Sequence, residues 1–186
     1  MANPDRPRGF TAVGTLSGRP LMGQIKTIGM GDGEDCFVGD FLNLASGLAL
    51  VADTNDAALL GVAVGFGKVD GDGVPLGPFN PNSLETLYYD DSASTHTEWV
   101  VYYVPVQDTV FEVQTAVDLS ASVIGDPCDL LGTAGDTASG RSRQEVTTST
   151  NADFIIVDRP HLVDNDASLV NEQVYVIATS AEQAYL

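Results

Sequence analysis

The apolar residues of this chain fall in short runs that rarely exceed ten positions and end at glycine, proline, asparagine or aspartate. Such runs leave little room for helices of normal length and are typical of β-strands bounded by turns. The pattern predicts strands at residues 21–28, 48–52, 58–66, 98–105, 109–115, 153–157 and 173–179. We therefore expect an all-β fold.

Two of the predicted strands carry apolar side chains on both faces. In strand 98–105 these are Trp99, Val101 and Tyr103 on one face and Val100, Tyr102 and Val104 on the other. Strand 173–179 has a similar pattern. Burial on both faces indicates a central strand. It favours a β-barrel or a β-sandwich, including a β-tulip-like form, and the pattern does not choose between them.

The length of 186 residues suits a single domain with a substantial core. We predict one β domain over residues 21–186, preceded by an extended N-terminal arm over residues 1–20. Two long loops are expected, at residues 69–96 and 132–150, where proline, glycine, serine and threonine are frequent. Loops of this length in a compact domain are usually functional or mobile.

The charge is strongly negative and unevenly distributed. Eight basic and 26 acidic residues give a net charge of −18, which disfavours nucleic acid and anionic membranes as partners. The first 31 residues are nevertheless net +3, so the remainder carries −21. The basic residues of this segment are Arg6, Arg8, Arg19 and Lys26. They indicate a basic arm with a role separate from the acidic body, unless their placement is chance.

The two cysteines and the apolar runs bear on the cellular location. Cys36 and Cys128 lack the spacing of a zinc or redox motif, and free, buried thiols are favoured over a disulfide in a protein made in a reducing cytoplasm. The apolar stretch 57–66 is about half as long as a membrane-spanning helix. The N-terminal residues lack the apolar segment of a secretion signal, so we expect a soluble, non-exported protein.

The candidate catalytic chemistry is sparse. His96 lies in a polar segment and His161 follows a proline, and neither accompanies a recognisable nucleophile motif. The acidic residues cluster in turns, where solvated side chains are expected. The series Asp70-Gly71-Asp72-Gly73 opens like a calcium loop but has Pro81 at the twelfth position, where a carboxylate is needed. We therefore predict no catalytic residues, no cofactor and no metal site.

Several short segments, taken in their order along the chain, resemble a family of structural proteins of tailed bacteriophages. They are Arg8-Gly9-Phe10, Cys36 to Leu44, Leu59 to Gly65, Trp99 to Val104, Asp108 to Gln114, Gly125-Asp126 followed by Thr137 to Ser142, and Val174-Tyr175-Val176-Ile177. The family comprises capsid cement, or decoration, proteins, and the resemblance extends over residues 8–179.

The resemblance implies a non-enzymatic protein of the virion. Such a protein is made in the host cytoplasm and binds the outer capsid surface after expansion, where it stabilises the shell across neighbouring subunits of the major capsid protein. It also implies self-association as a homotrimer, with a dimer as the alternative. Together with the charge distribution, it leads to the hypothesis that Arg6, Arg8, Phe10 and Arg19 contact the capsid.

The alternative function is a soluble β-sandwich binding module, from a phage fibre or a carbohydrate-binding protein. It would use an aromatic platform built from Trp99, Tyr102, Tyr103, Tyr88 and Tyr89. Aromatic side chains in a strand that is apolar on both faces more often belong to the core.

Overall fold

The fold is described by a computed structural model that covers residues 3–54, 56–70, 72, 88–92, 96–119, 124–160, 165, 169–179 and 183–184. In this part of the chain the regular elements are strands and two short 3-10 turns, Leu21–Gln24 and His96–Glu98, without an α-helix. The strands are β1 (Thr11–Thr15), β2 (Lys26–Gly29), β3 (Cys36–Phe37), β4 (Phe41–Ala45), β5 (Leu48–Val51), β6 (Leu59–Lys68), β7 (Tyr88–Tyr89), β8 (Trp99–Pro105), β9 (Thr109–Gln114), β10 (Pro127–Leu131), β11 (Glu145–Thr148), β12 (Phe154–Asp158) and β13 (Gln173–Ala178). The all-β prediction is confirmed.

The strands form three antiparallel sheets. The largest has the order β1-β9-β13-β12-β10-β11, the second has the order β2-β8-β6-β4-β5, and the smallest pairs β3 with β7. One bridge from Thr115 to Val146 brings the far edge of the six-stranded sheet beside the end of β9. The sheets formed by the described residues remain open, so the architecture is a β-sandwich rather than a closed barrel.

The core is divided in two by the five-stranded sheet. Side chains from both large sheets meet in the first cluster, where Phe41 and Val62 face Phe111, Phe154 and Val176. The second cluster lies on the other face of the five-stranded sheet and includes residues of the small sheet: Leu42, Leu60, Val101, Tyr103, Cys36 and Tyr89. The molecule therefore has three layers, and β6 and β8 run through the middle one.

Most predicted strands are confirmed, and the two-sided pattern of β8 has the expected consequence. This strand lies between β2 and β6, and both of its faces are buried. In β13 only one face, formed by Val174, Val176 and Ala178, lies in the core. Tyr175 and Ile177 are half-buried on the outer side of the sheet, so the prediction of two-sided burial is wrong for this strand.

The predicted strand 21–28 is only half right. Its first part is the 3-10 turn Leu21–Gln24, and strand pairing begins at Lys26 in β2. Pro20, with φ of −64°, precedes the turn, and Gly23 lies inside it. Proline removes a backbone donor and glycine weakens extended structure, which explains why the ladder starts late.

In the described part of the predicted arm, residues 3–20, the chain is not a separate extension, so the predicted domain boundary at residue 20 is corrected. Residues 11–15 form β1, which pairs antiparallel with β9 at the edge of the six-stranded sheet. Beyond it, the amide of Leu16 donates to the carbonyl of Asp108 at 2.9 Å. The segment before β1 packs against the body as well, since Asn3 and Phe10 are buried.

The structure also describes the two cysteines and parts of the two predicted loops. Cys36 and Cys128 are both buried and unbonded, as predicted, and lie in different core clusters. The expected loop 132–150 contains β11. Most of the expected loop 69–96, namely residues 71, 73–87 and 93–95, lies outside the described residues, as does His161.

Candidate functional site

Three segments that are far apart in the sequence meet at one place, which we call the junction: residues 8–10, 36–40 and 140–142. The amide of Phe10 donates to the carbonyl of Gly39 at 2.8 Å. On the other side of the same segment, the amide of Val38 donates to Gly140 at 3.2 Å, and the amide of Ser142 donates to Val38 at 2.9 Å. The segment around Val38 and Gly39 thus holds the other two side by side.

Glycine is required where these segments cross. Gly9 has φ of 68° and Gly39 has φ of 97°, a region that other residues rarely adopt. A Cβ atom on Gly9 would lie 2.4 Å from the Gly39 carbonyl oxygen and from the Ser142 side chain. The close approach of the three backbones therefore depends on the missing side chain.

The junction is also joined to the central layer. The amide of Gly39 donates to the carbonyl of Ala63 in β6, and the amide of Ala63 donates to the backbone carbonyl of Asp40, both at 2.9 Å. These bonds resemble a short additional ladder on β6. They fix the position of residues 8–10 and 140–142 relative to both large sheets.

A buried carboxyl group supports the junction from inside. Asp40 is 2% exposed, and its Oδ2 accepts a hydrogen bond of 2.7 Å from the amide of Phe37. Burial raises the pKa of Asp40 to about 7, although its hydrogen bonds to Ser142 and to the Phe37 amide partly oppose the shift. This group therefore titrates near neutral pH while it holds the junction together.

A cavity of about 350 Å³ adjoins the junction between the two large sheets. Its lining is mainly apolar and includes Phe10, Leu21, Ile25, Val62, Val64 and Val104. Two charged side chains, Arg8 and Arg141, also line it, and both residues are exposed. An apolar hollow with a few polar groups in fixed positions is the usual form of a binding site.

The structure separates the four residues predicted to contact a capsid. Arg6 and Arg8 line a second cavity, of about 390 Å³, together with Glu112. The side chain of Arg8 is 57% exposed and lies 3.8 Å from that of Glu112. Arg19 is exposed at the other end of β1, where its carbonyl accepts a bond from Thr15.

Phe10 does not belong with these arginines. Its side chain is 2% exposed, with its ring 4.9 Å from that of Phe41 and 5.2 Å from that of Phe154. A ring held in the core cannot also lie on a capsid surface, so the prediction that Phe10 contacts the capsid is corrected. Capsid contact by Arg6, Arg8 and Arg19 stays a prediction.

Arg141 is a further residue of this site that is not predicted from the sequence. The sequence signal for this part of the site is a pair of arginines, Arg141 and Arg143, in a stretch otherwise rich in serine, threonine and glycine. Their distance from residues 8–10 along the chain concealed the fact that Arg141 and Arg8 line the same cavity.

Three of the five residues of the alternative aromatic platform are in the interior, and Trp99 is half-buried with the Lys68 ammonium 5.2 Å from the centre of its ring. Tyr89, Tyr102 and Tyr103 are buried, the first and last of them in the second core cluster. Tyr88 is half-buried and stacks on Phe37 with ring centroids 4.8 Å apart. These side chains build the interior, so they do not offer a flat exposed surface to a sugar ring.

Some acidic residues in the described part of the chain stabilise turns. Asp70 accepts a bond of 3.0 Å from the amide of Asp72, which is an Asx-turn. Glu34 lines a cavity of about 370 Å³ with Asp53 and Asp56. Burial, and then the charges of Asp53 and Asp56, raise the pKa of Glu34. The described residues contain no group of three or more His, Cys, Asp or Glu side chains arranged to hold a metal ion.

Asp129 organises the turn after β11. Its carboxylate accepts bonds from the Ser149 hydroxyl at 2.8 Å, from the amides of Asn151 at 3.0 Å and Ala152 at 2.8 Å, and from both the amide and the hydroxyl of Thr150. Burial raises its pKa, but bonds from Thr150, Ser149 and Asn151 outweigh that effect and lower the pKa to about 2. The carboxylate therefore stabilises the fold above pH 4, and this contribution is lost as the pH falls through 2.

Replacing Asp129 by Asn is expected to destabilise the protein by about 2–4 kcal/mol, because one acceptor oxygen becomes a donor that faces other donors. Urea denaturation at pH 7 measures the change. Asp158→Asn, at the exposed end of β12, is the matched control and should change stability by less than about 0.5 kcal/mol. Equal effects of the two substitutions would contradict the role given to Asp129.

Within the described ranges, no helix is long and apolar enough to cross a membrane. Comparisons with known proteins add no relative: no protein-family model, no curated protein and no solved structure matches the chain.

Proposed function

We propose that this protein is a capsid cement protein of a tailed bacteriophage, without enzymatic activity, that binds the outside of the expanded shell. One observation carries the proposal: several of the segments on which the resemblance rests lie together in the fold. Residues 8–10, Gly39-Asp40 and residues 140–142 form the junction, which is bonded to Ala63, next to Leu60-Gly61-Val62. Short segments that match a family by chance need not lie together in space. The proximity of these segments therefore supports the resemblance to capsid cement proteins.

Residues 111–114, which belong to another segment of the resemblance, contact the same N-terminal residues. Glu112 of residues 111–114 lies beside the Arg8 side chain, and the Oε1 of Gln114 accepts a bond of 3.1 Å from the amide of Arg6. The N-terminal segment is thereby held along the edge of the sandwich. Arg6 and Arg8 are exposed there on a protein whose remaining surface is strongly acidic.

The proposed action follows from mass action. A protein that binds the expanded shell and not its dissociated subunits stabilises the shell by the free energy of that binding. Each copy contacts neighbouring subunits of the major capsid protein, and many copies act together on a symmetric lattice. A homotrimer on a local threefold axis is the arrangement we favour, with a dimer as the alternative.

The first test reverses the charge of the N-terminal arginines. Arg6→Glu with Arg8→Glu is expected to weaken binding to empty, expanded capsids of a phage that encodes this chain by about tenfold or more, because complementary charge is replaced by repulsion. Co-sedimentation at several protein concentrations gives the apparent affinity, and cryo-electron microscopy gives the occupancy on the shell.

The matched control is Lys26→Glu with Lys68→Glu, which changes the net charge equally at two exposed positions of the five-stranded sheet. It should bind within about twofold of the unmodified protein. Equal weakening by both pairs would mean that only net charge matters, and would refute the role of Arg6 and Arg8. Failure of the unmodified protein to occupy the shell would refute the proposed function itself.

A further inference from the structure

The cavity beside the junction combines an apolar interior with Arg141, whose side chain has no partner among the described residues. The backbone of Arg141 is fixed on both sides, by a bridge to Val38 and by a hydrogen bond of 2.8 Å from the amide of Asp136 to its carbonyl. Among the residues that the structure describes, its guanidinium forms no ion pair and no hydrogen bond. A fixed backbone thus presents free donors at the cavity.

The nearest acid on the same loop is already engaged. The Asp136 carboxylate accepts bonds from the Ser139 hydroxyl at 2.9 Å and the Ala138 amide at 3.0 Å, and it lies 3.5 Å from the Arg143 guanidinium. Arg143 therefore has a partner, whereas Arg141, two residues earlier, has its charge available for a ligand.

A second guanidinium lines the same cavity. Arg8 is 57% exposed, and its only described ion pair is the one to Glu112 at 3.8 Å. An exposed pair of this length is weak and leaves most of the five N–H donors of the guanidinium unused. Arginine binds carboxylates with two parallel hydrogen bonds, which makes an anionic head group the natural complement of this rim.

We propose that this cavity binds a small amphipathic carboxylate, with its hydrocarbon chain between the two sheets and its carboxylate on Arg141, assisted by Arg8. A volume of about 350 Å³ lies at the lower end of the range for small-molecule sites and admits an alkyl chain of about eight carbons. The side chains of Leu21, Ile25 and Val64 line the cavity and are only half-buried, so they provide apolar contact for this chain.

The probe is octanoate, and its binding to the full chain is measured by isothermal titration calorimetry and by ¹H–¹⁵N chemical-shift changes. Each methylene from butanoate to octanoate is expected to tighten binding about fourfold, because each buries one more apolar group. Octylammonium, with the same chain and the opposite charge, should bind at least tenfold more weakly. Absence of octanoate binding, or equal affinity for both ions, would overturn the proposal.

Two neighbouring arginines give a matched pair of variants. Arg141→Gln is expected to weaken octanoate binding by about tenfold or more, and Arg143→Gln by less than twofold, since Arg143 pairs with Asp136 and does not line the cavity. Equal losses would assign the effect to net charge and refute the site. Thermal unfolding of both variants verifies that they fold. This test does not involve capsids, so its outcome is independent of the proposed function.

Discussion

Replacing Phe10 by Ala is expected to lower the free energy of unfolding by about 3–5 kcal/mol. The ring is 2% exposed and packs among Phe41 and Phe154, so its removal leaves a cavity at the centre of the first core cluster. Phe41 is edge-on to Phe10 at an interplanar angle of 75°, and Phe154 is tilted by 33°. These contacts add to the loss of buried apolar area.

Urea denaturation monitored by the single tryptophan, Trp99, measures the change. Leu16→Ala is the control, because Phe10 directly precedes β1 and Leu16 directly follows it, but Leu16 is 63% exposed. This substitution should lower the free energy of unfolding by less than about 0.5 kcal/mol. A loss below about 1 kcal/mol for Phe10→Ala would show that the N-terminal segment detaches easily in solution. In that case the segment would behave as the free arm that the charge pattern suggested.

Replacing Asp40 by Asn is expected to stabilise the protein at pH 8 by up to about 4 kcal/mol. The folded-state pKa of about 7 lies roughly three units above that of an unfolded aspartate, and each unit corresponds to about 1.4 kcal/mol. Between pH 4 and pH 7 the folded state binds more protons than the unfolded state, so stability falls as the pH rises. Asparagine is neutral at every pH and retains an oxygen that accepts the Phe37 amide.

Thermal unfolding between pH 4 and pH 9 tests this sign. The variant should match the unmodified protein near pH 4 and exceed it increasingly up to about pH 8. Asp72→Asn, at an exposed turn, serves as the control and should not change the pH profile. A difference between Asp40→Asn and the unmodified protein that does not vary with pH would rule out titration of a buried carboxyl group in this window.

The sequence predicts the middle layer best, because β8 has apolar side chains on both faces and both faces are buried, whereas the similar pattern of β13 is buried on one face only. The alternation in β8 requires apolar contact on both sides, and only a middle layer provides it. Strand β10 was missed for the opposite reason. Pro127 and Asp129 interrupt its apolar pattern, and the aspartate is tolerated because it accepts hydrogen bonds from a turn about twenty residues later. That compensation is tertiary and has no local signature.

The candidate site was predictable only in part. The excess of positive charge near the N-terminus identified Arg6, Arg8 and Arg19 as a group, and they are exposed. The charge pattern also suggested a free arm, although Phe10 and β1 fix this segment to the core. The cavity was not foreseen, because its lining comes from distant segments that become neighbours only after Gly9 and Gly39 allow their backbones to cross.

The attachment of β1 has a mechanical consequence. Any partner that grips Arg6 or Arg8 pulls on a segment continuous with this strand, and a force along the strand axis loads its hydrogen bonds to β9 in shear, so that they share the tension. A flexible tether would extend before it transmitted any load. Because β1 is a paired edge strand and the Phe10 ring is buried in the core, tension on this segment would pass directly into the sandwich. The N-terminal segment would therefore be a rigid connection to any partner that binds Arg6 or Arg8.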